Sequence, residues 1–135
     1  MRVLALDYGS ARCGCALSDA TGTLATPIDE IERPGTRRGL ARVAALARDR
    51  EAERVVVGLP LGLGGDDTDQ TREVRAWAAR LERAVNVPVE LFDERFTTAI
   101  AARYPADPPR ASEDSRAAAV LLEDWLARRA AGGVG

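Results

Sequence analysis

The sequence predicts an α/β protein on a mixed five-stranded sheet: a three-strand meander, then alternating helices and strands, flanked by helices on both faces. Three observations predict it. The opening of the chain reads as short β-rich runs broken by turn residues. At Thr36 the apolar spacing changes from the period of a strand to that of a helix. Further on, Arg54–Gly58 (RVVVG) is a compact β-branched run, the pattern of a strand buried on both faces.

Each element follows from its residues. Arg2–Leu6 is short and apolar and ends in a carboxylate, Asp7. A glycine turn (Tyr8-Gly9-Ser10) leads to a weakly alternating strand, Cys13–Ser18. Thr23–Ile31 is the third strand, between turns at Gly22 and Pro34. Thr36 then caps a helix to Arg50, with Leu40, Val43, Ala44 and Ala47 on one face and arginines on the other. After the Arg54–Gly58 strand comes a glycine-rich connection, Leu59–Asp67 (LPLGLGGDD). Asp67 or Thr68 caps the next helix, whose stripe is Val74, Trp77, Ala78 and Leu81, ending near Val85. Pro88–Phe92 is a short strand running into Asp93-Glu94-Arg95. Thr97–Arg103 fits a short helix, and the prolines of Tyr104–Arg110 require a loop. Ser112 caps a last helix, Glu113–Arg129, with Ala117, Val120, Leu121 and Trp125 toward the core, and Ala130–Gly135 is a tail. No repeat or linker divides the chain, so residues 1–135 are expected to form one domain.

This β-β-β-α-β-α-β-α-α order is that of the ribonuclease H-like fold. In open sheets of this kind ligands gather beyond the carboxyl ends of the parallel strands. Three acidic positions point there. Asp7 ends the first strand, Asp93 and Glu94 end the fifth, and Asp114 lies in the first turn of the last helix. With the fourth strand between them, the ends of strands one and five stand about 10 Å apart, two spacings of ~4.8 Å. The longer Glu94 suits that gap better than Asp93. Oxygen ligands with no His or Cys suit Mg²⁺ or Mn²⁺. Two such ions ~3.5–4 Å apart activate water and stabilise the leaving oxygen in phosphodiester cleavage. Arg12, Arg95, Arg110 and Arg116 lie near this cluster in the expected topology and are candidates for holding phosphates.

Composition narrows the chemistry. A chain of 135 residues buries about two thirds of its unfolded surface. Histidine is absent, which removes Ser-His-Asp and Cys-His catalysis and His-ligated zinc. Cys13 and Cys15 share one strand face and cannot make a four-ligand zinc site, so they read as small core hydrophobes. The net charge of −2 argues against a wholly electrostatic nucleic-acid binder, though local arginines can serve a site whose acids are offset by metal. No run approaches the roughly 20 apolar residues of a membrane span, and no signal-peptide pattern is present. A cytoplasmic protein without membrane contact is expected.

Together these residues resemble the YqgF family, also called RuvX, described as pre-16S rRNA nucleases and related to Holliday junction resolvases. The likeness covers about residues 1–127. Asp7-Tyr8-Gly9-Ser10 with Arg12, Gly14, Ala16, Ser18 and Asp19 resembles the opening motif. Val57-Gly58-Leu59-Pro60-Leu61 followed by Gly65 resembles the central one. Asp93-Glu94-Arg95-Phe96-Thr97-Thr98 is similar to the third. Asp114-Ser115 with Ala117-Ala118 and Leu121-Leu122 is similar to the last. The chain departs from the pattern at Ala11, where a basic residue is usual, at Cys13, where a branched apolar one is usual, and at Pro108–Ala111, which lacks the usual lysines.

The resemblance implies a metal-dependent nuclease that processes the 5′ end of pre-16S rRNA, with Asp7, Glu94 and Asp114 as catalytic residues and ligands of Mg²⁺ or Mn²⁺. Arg12, Arg95 and Arg116 would bind nucleic acid. Expected partners are pre-16S rRNA, with branched DNA as the alternative, and ribosomal particles; the expected state is a monomer or weak dimer. Two other classes compete. One is a non-catalytic nucleic-acid-binding module of the same fold, motivated by the acidic net charge and by Ala11. The other is an ATPase, because Asp7-Tyr8-Gly9-Ser10 also looks like the phosphate loop of actin-like ATPases and sugar kinases, which need two lobes.

Overall fold

A computed structural model describes residues 1–94 and 112–132 of the chain. The expected helix over Thr97–Arg103 and loop over Tyr104–Arg110 lie outside the described residues. The strands are β1 (Val3–Asp7), β2 (Arg12–Ser18), β3 (Ala25–Glu32), β4 (Arg54–Leu59) and β5 (Val89–Asp93). The helices are α1 (Arg37–Asp49), α2 (Asp69–Ala84) and α3 (Glu113–Gly132). The sheet order is β3-β2-β1-β4-β5. β1, β2 and β3 pair antiparallel, while β4 joins β1, and β5 joins β4, in parallel. The carboxyl ends of β1, β4 and β5 therefore share one edge of the sheet.

The strand alternation sorts the core into two layers. Leu4, Leu6, Val55 and Val57 pack with Val43 and Ala47 of α1 and with Val74, Trp77, Ala78 and Leu81 of α2. Val3, Ala5, Ala16 and Val56 pack under α3, on Ala118, Ala119, Leu121, Leu122 and Trp125. Cys13 and Cys15 are fully buried in the first layer, as small hydrophobes.

Two boundaries and one buried face differ from the sequence expectation by more than a residue. β3 starts at Ala25 rather than Thr23 because residues 19–24 are folded around Asp19. Its carboxylate accepts hydrogen bonds from the Thr23 and Leu24 amides at 2.8 and 3.1 Å. With the Thr21 hydroxyl first among them, these donors hold the Asp19 carboxyl well below the usual range. α3 runs to Gly132, past the expected end at Arg129. Its buried face is also rotated: Ala117 is exposed, while Ser115, Ala118, Ala119 and Leu122 are buried. The face over the sheet follows the i, i+3, i+4, i+7 spacing from Ser115.

The helix starts are fixed by local chemistry. The Gly39 amide donates to the Thr36 hydroxyl at 3.0 Å, capping α1. Thr68 and Thr71 form a reciprocal capping box on α2. Buried Thr71 also donates to the Pro60 carbonyl, tying α2 to the end of β4. The Ser115 amide donates to the Ser112 hydroxyl at 3.1 Å at the start of α3. Between β4 and α2 the glycine-rich segment closes on itself, with Gly62 N–H to Asp66 O and Gly65 N–H to Gly62 O, each 2.9 Å.

Candidate active site

The shared edge of the sheet carries the acidic residues. Asp7 is the last residue of β1 and lies on the α3 side, two positions beyond Ala5. Glu94 directly follows β5. The two carboxyl groups hydrogen-bond to each other. Burial and the neighbouring Asp7 charge push Glu94 up to about 8, with the hydrogen bond to Asp7 and the Asp93 charge adding to the rise. Asp7 is also raised, chiefly by burial; the bond from Glu94 opposes that rise and the Asp114 charge adds to it. The pair thus holds a proton between its two carboxyl groups, with Glu94 on the donating side.

Two glycines make this convergence possible. Gly58 on β4 lies where the Glu94 side chain crosses the strand, and a Cβ there would overlap Glu94 Oε1. Gly14 pairs with Asp7 in the β1–β2 register. A Cβ on Gly14 would overlap the carbonyl of Asp114 and crowd the Ser115 amide. The first turn of α3 therefore rests on the backbone of β2 beside Asp7. A register shift in the β2–β3 ladder between Cys13 and Cys15 accompanies this contact. The Cys15 amide donates to the buried Ser115 hydroxyl at 3.1 Å.

Asp114 is close enough for its charge to act on Asp7, and it pairs with Arg12 Nε at 3.6 Å. The carboxylates of Asp7 and Glu94 meet, whereas Asp114 stands apart with Arg12. Among the described residues no three His, Cys, Asp or Glu side chains come together as a metal-holding group. Strand alternation puts Asp93 on the face of Val89 and Leu91, opposite to the one that Gly58 opens for Glu94. Arg116 is half-buried in the first turns of α3. Arg95 and Arg110 lie outside the described residues.

The roles of Gly14 and Gly58 were not visible in their motifs. Each interrupts a strand of larger residues, and an internal strand glycine signals close approach of another group. Which group approaches depends on the pairing register.

The sequence matches the family described as "RuvX: Holliday junction resolvase" over residues 1–128. The chain belongs to the RuvX family. A Holliday junction resolvase cleaves phosphodiester bonds, so the RuvX family is one of phosphodiester-cleaving hydrolases. Relatives at high coverage carry a different name. A protein of Anaeromyxobacter dehalogenans named "Putative pre-16S rRNA nuclease" is 43% identical, over 96% of this chain and 99% of its own. One of the same name from Maridesulfovibrio salexigens is 39% identical, over 95% and 99%.

Solved structures show the same fold at low identity. Thermus thermophilus RuvC superposes with a TM-score of 0.63 at 16% identity, covering 97% of each chain. The Fowlpox virus resolvase, solved with Holliday junction DNA, gives 0.58 at 11% identity, covering 95% of this chain and 98% of its own. The chain thus has the ribonuclease H-like fold expected for the RuvX family. No helix among the described residues is long and apolar enough to cross a membrane.

Proposed function

We propose that residues 1–135 form a single ribonuclease H-like nuclease domain that processes the 5′ end of pre-16S rRNA in the cytoplasm during ribosome biogenesis, using Mg²⁺ or Mn²⁺. The observation that carries this reading is the Asp7–Glu94 carboxyl pair, joined across β4 at the sheet edge where ligands gather in such folds. The substrate comes from the names of the relatives.

The donors fit a hard divalent cation. They are all carboxylate oxygens, and the proton shared by Asp7 and Glu94 marks an excess of negative charge that such a cation would neutralise. Asp7, Glu94 and Asp114 would hold it. When bound, the ion supplies charge neutralisation at the phosphate and lowers the pKa of a water. The residues of this chain do the rest. Asp7 and Glu94 fix the negative oxygens at one end of the sheet. Arg12, half-exposed and only loosely paired with Asp114, is placed to hold a phosphate oxygen. Arg95 and Arg116 are the other proposed nucleic-acid contacts.

A second reading has its own support in the family description, a Holliday junction resolvase. It keeps the same residues and exchanges RNA for branched DNA. The non-catalytic binding module shares the surface but not the carboxylate requirement.

The test replaces Asp7 by Asn and follows cleavage of a pre-rRNA fragment and of a four-way DNA junction with Mn²⁺. The expected result is loss of RNA cleavage by at least about a hundredfold, with the fold intact by circular dichroism. Undiminished cleavage by a well-folded variant would remove Asp7 from the chemistry. Preference for the junction would transfer the reading to DNA.

A further inference from the structure

We infer that Arg33, Arg37 and Arg38, at the corner between β3 and α1, form a phosphate-contacting patch that grips the backbone of the nucleic acid beside the site. This rests on the nuclease reading above and adds a surface that reading does not use. All three side chains are exposed. Among the described residues none of them forms a hydrogen bond, ion pair or ring contact through its side chain. By contrast, most other arginines among the described residues, Arg42, Arg50 and Arg83 excepted, have acidic, carbonyl or aromatic partners: Arg2 with Glu51, Arg54 with Glu90, Arg72 with Asp69, Arg75 with Asp67, and Arg80 with the Gly35 carbonyl.

The patch is joined to the site by a short series of contacts. Arg33 N–H donates to the Ala11 carbonyl at 2.9 Å, next to Arg12. Gly35 lies against Tyr8, the residue after Asp7: a Cβ on Gly35 would stand 3.0 Å from the Tyr8 hydroxyl. Tyr8 is itself fixed, with its ring centroid 4.7 Å from that of Trp77 and its hydroxyl donating to Glu73 at 2.8 Å. Trp77 Nε1 donates to the Pro34 carbonyl at 2.9 Å. The backbone of the corner is therefore tied to the Asp7 end of the sheet, which keeps the three arginines beside the site.

The backbone of Arg33 adds weight. Its φ is 47°, a left-handed conformation that glycine adopts at far lower cost. Among the described residues Glu51 is the other non-glycine residue in that region, and its side chain is used by Arg2 at 3.1 Å. Arg33 has no such use within the fold. Arg37 and Arg38 open α1, where no acidic residue complements the helix dipole. Local stability would favour other residues at all three positions, whereas a polyanion laid across this corner would favour arginine.

The triple variant Arg33→Gly, Arg37→Gln, Arg38→Gln tests the patch. Binding of a fluorescein-labelled pre-rRNA fragment is measured with Ca²⁺ replacing Mg²⁺ and Mn²⁺, over a series of salt concentrations. The expected result is affinity at least about tenfold weaker at low salt, and a log K against log[salt] slope shallower by about two. The melting temperature should hold or rise, since glycine relieves position 33. Cleavage with Mn²⁺ at fragment concentrations well below saturation should fall in step with the affinity. Unchanged affinity and slope would overturn the patch, and so would failure of the wild type to bind. The nuclease reading fails separately, when wild type binds the fragment but no divalent ion supports its cleavage.

Discussion

Glu94 reaches Asp7 by crossing β4 at Gly58, the one place on that strand face where no side chain stands between them. A strand glycine normally costs stability, on the order of 0.5–1 kcal/mol relative to alanine. Gly58→Ala should therefore stabilise a sheet with nothing opposite it. Here the added methyl meets Glu94 Oε1. The expected outcome is a melting temperature within a few degrees of wild type and cleavage reduced at least about tenfold. Wild-type cleavage by Gly58→Ala would show that the Asp7–Glu94 contact is dispensable.

Gly14 should behave differently, because the group opposite it is backbone. A methyl there would overlap the Asp114 carbonyl, and a helix cannot yield as a side chain can. Gly14→Ala should lift α3 off β2 and cost about 3 kcal/mol or more, as overpacking of a rigid contact does. Ser115→Ala tests the same contact more gently. It leaves the buried Cys15 amide without its acceptor and should cost about 1–3 kcal/mol. Urea titrations of both variants check the order; a smaller loss for Gly14→Ala than for Ser115→Ala would refute it.

Much of this was legible in the chain. The change of period at Thr36 and the RVVVG run give the element order, and the order gives the sheet, because connection rules leave few alternatives. Trp77 and Leu81 were readable as core from spacing alone. The site was legible as a set of strand-end acids, but its detail was not. Length alone favoured Glu94 over Asp93; the structural reason was hidden, because alternation along β5 and the opening at Gly58 put Glu94, and not Asp93, beside Asp7. The face of α3 was misjudged at Ala117 because it opens a run of three alanines, Ala117–Ala119, that carries no amphipathic signal. Arg33 was invisible, since its exposure and its backbone conformation depend on how the β3–α1 corner folds against Ala11.

Glu94 also predicts how stability follows pH. Its carboxyl is raised from 4.5 to about 8 by burial and by Asp7. The folded chain therefore keeps a proton that the unfolded chain releases above 4.5. The stability linked to that proton is complete below 4.5 and is lost as pH climbs toward 8. The upward shift of Asp7 acts in the same direction. With a chelator present, the melting temperature should fall by several degrees between pH 5 and pH 8, and Glu94→Gln should flatten most of the fall. Adding Mn²⁺ at pH 8 should restore stability to wild type and not to Glu94→Gln. A flat profile in the metal-free wild type would contradict the buried shared proton.

At the opposite end of the sheet a second polar group offers a control. Glu90 accepts from Arg54 Nη1 at 2.9 Å and from Trp125 Nε1 at 2.8 Å, joining β4, β5 and α3. Arg54 also lies over the Trp125 ring, 5.9 Å from its centroid, and its Nε is buried without a hydrogen-bond partner. Glu90→Ala removes both acceptors at once and leaves a partly buried guanidinium with less compensation. The expected cost is about 2–3 kcal/mol, a fall of several degrees in melting temperature. Glu90→Gln keeps an acceptor for Trp125 and should cost less. These residues sit at the amino ends of β4 and β5, the full length of the strands away from Asp7. Cleavage per folded molecule should therefore match wild type in both variants, measured well below their melting temperatures. A fall in cleavage that exceeds the unfolded fraction would mean that α3 transmits strain along its length to Asp114.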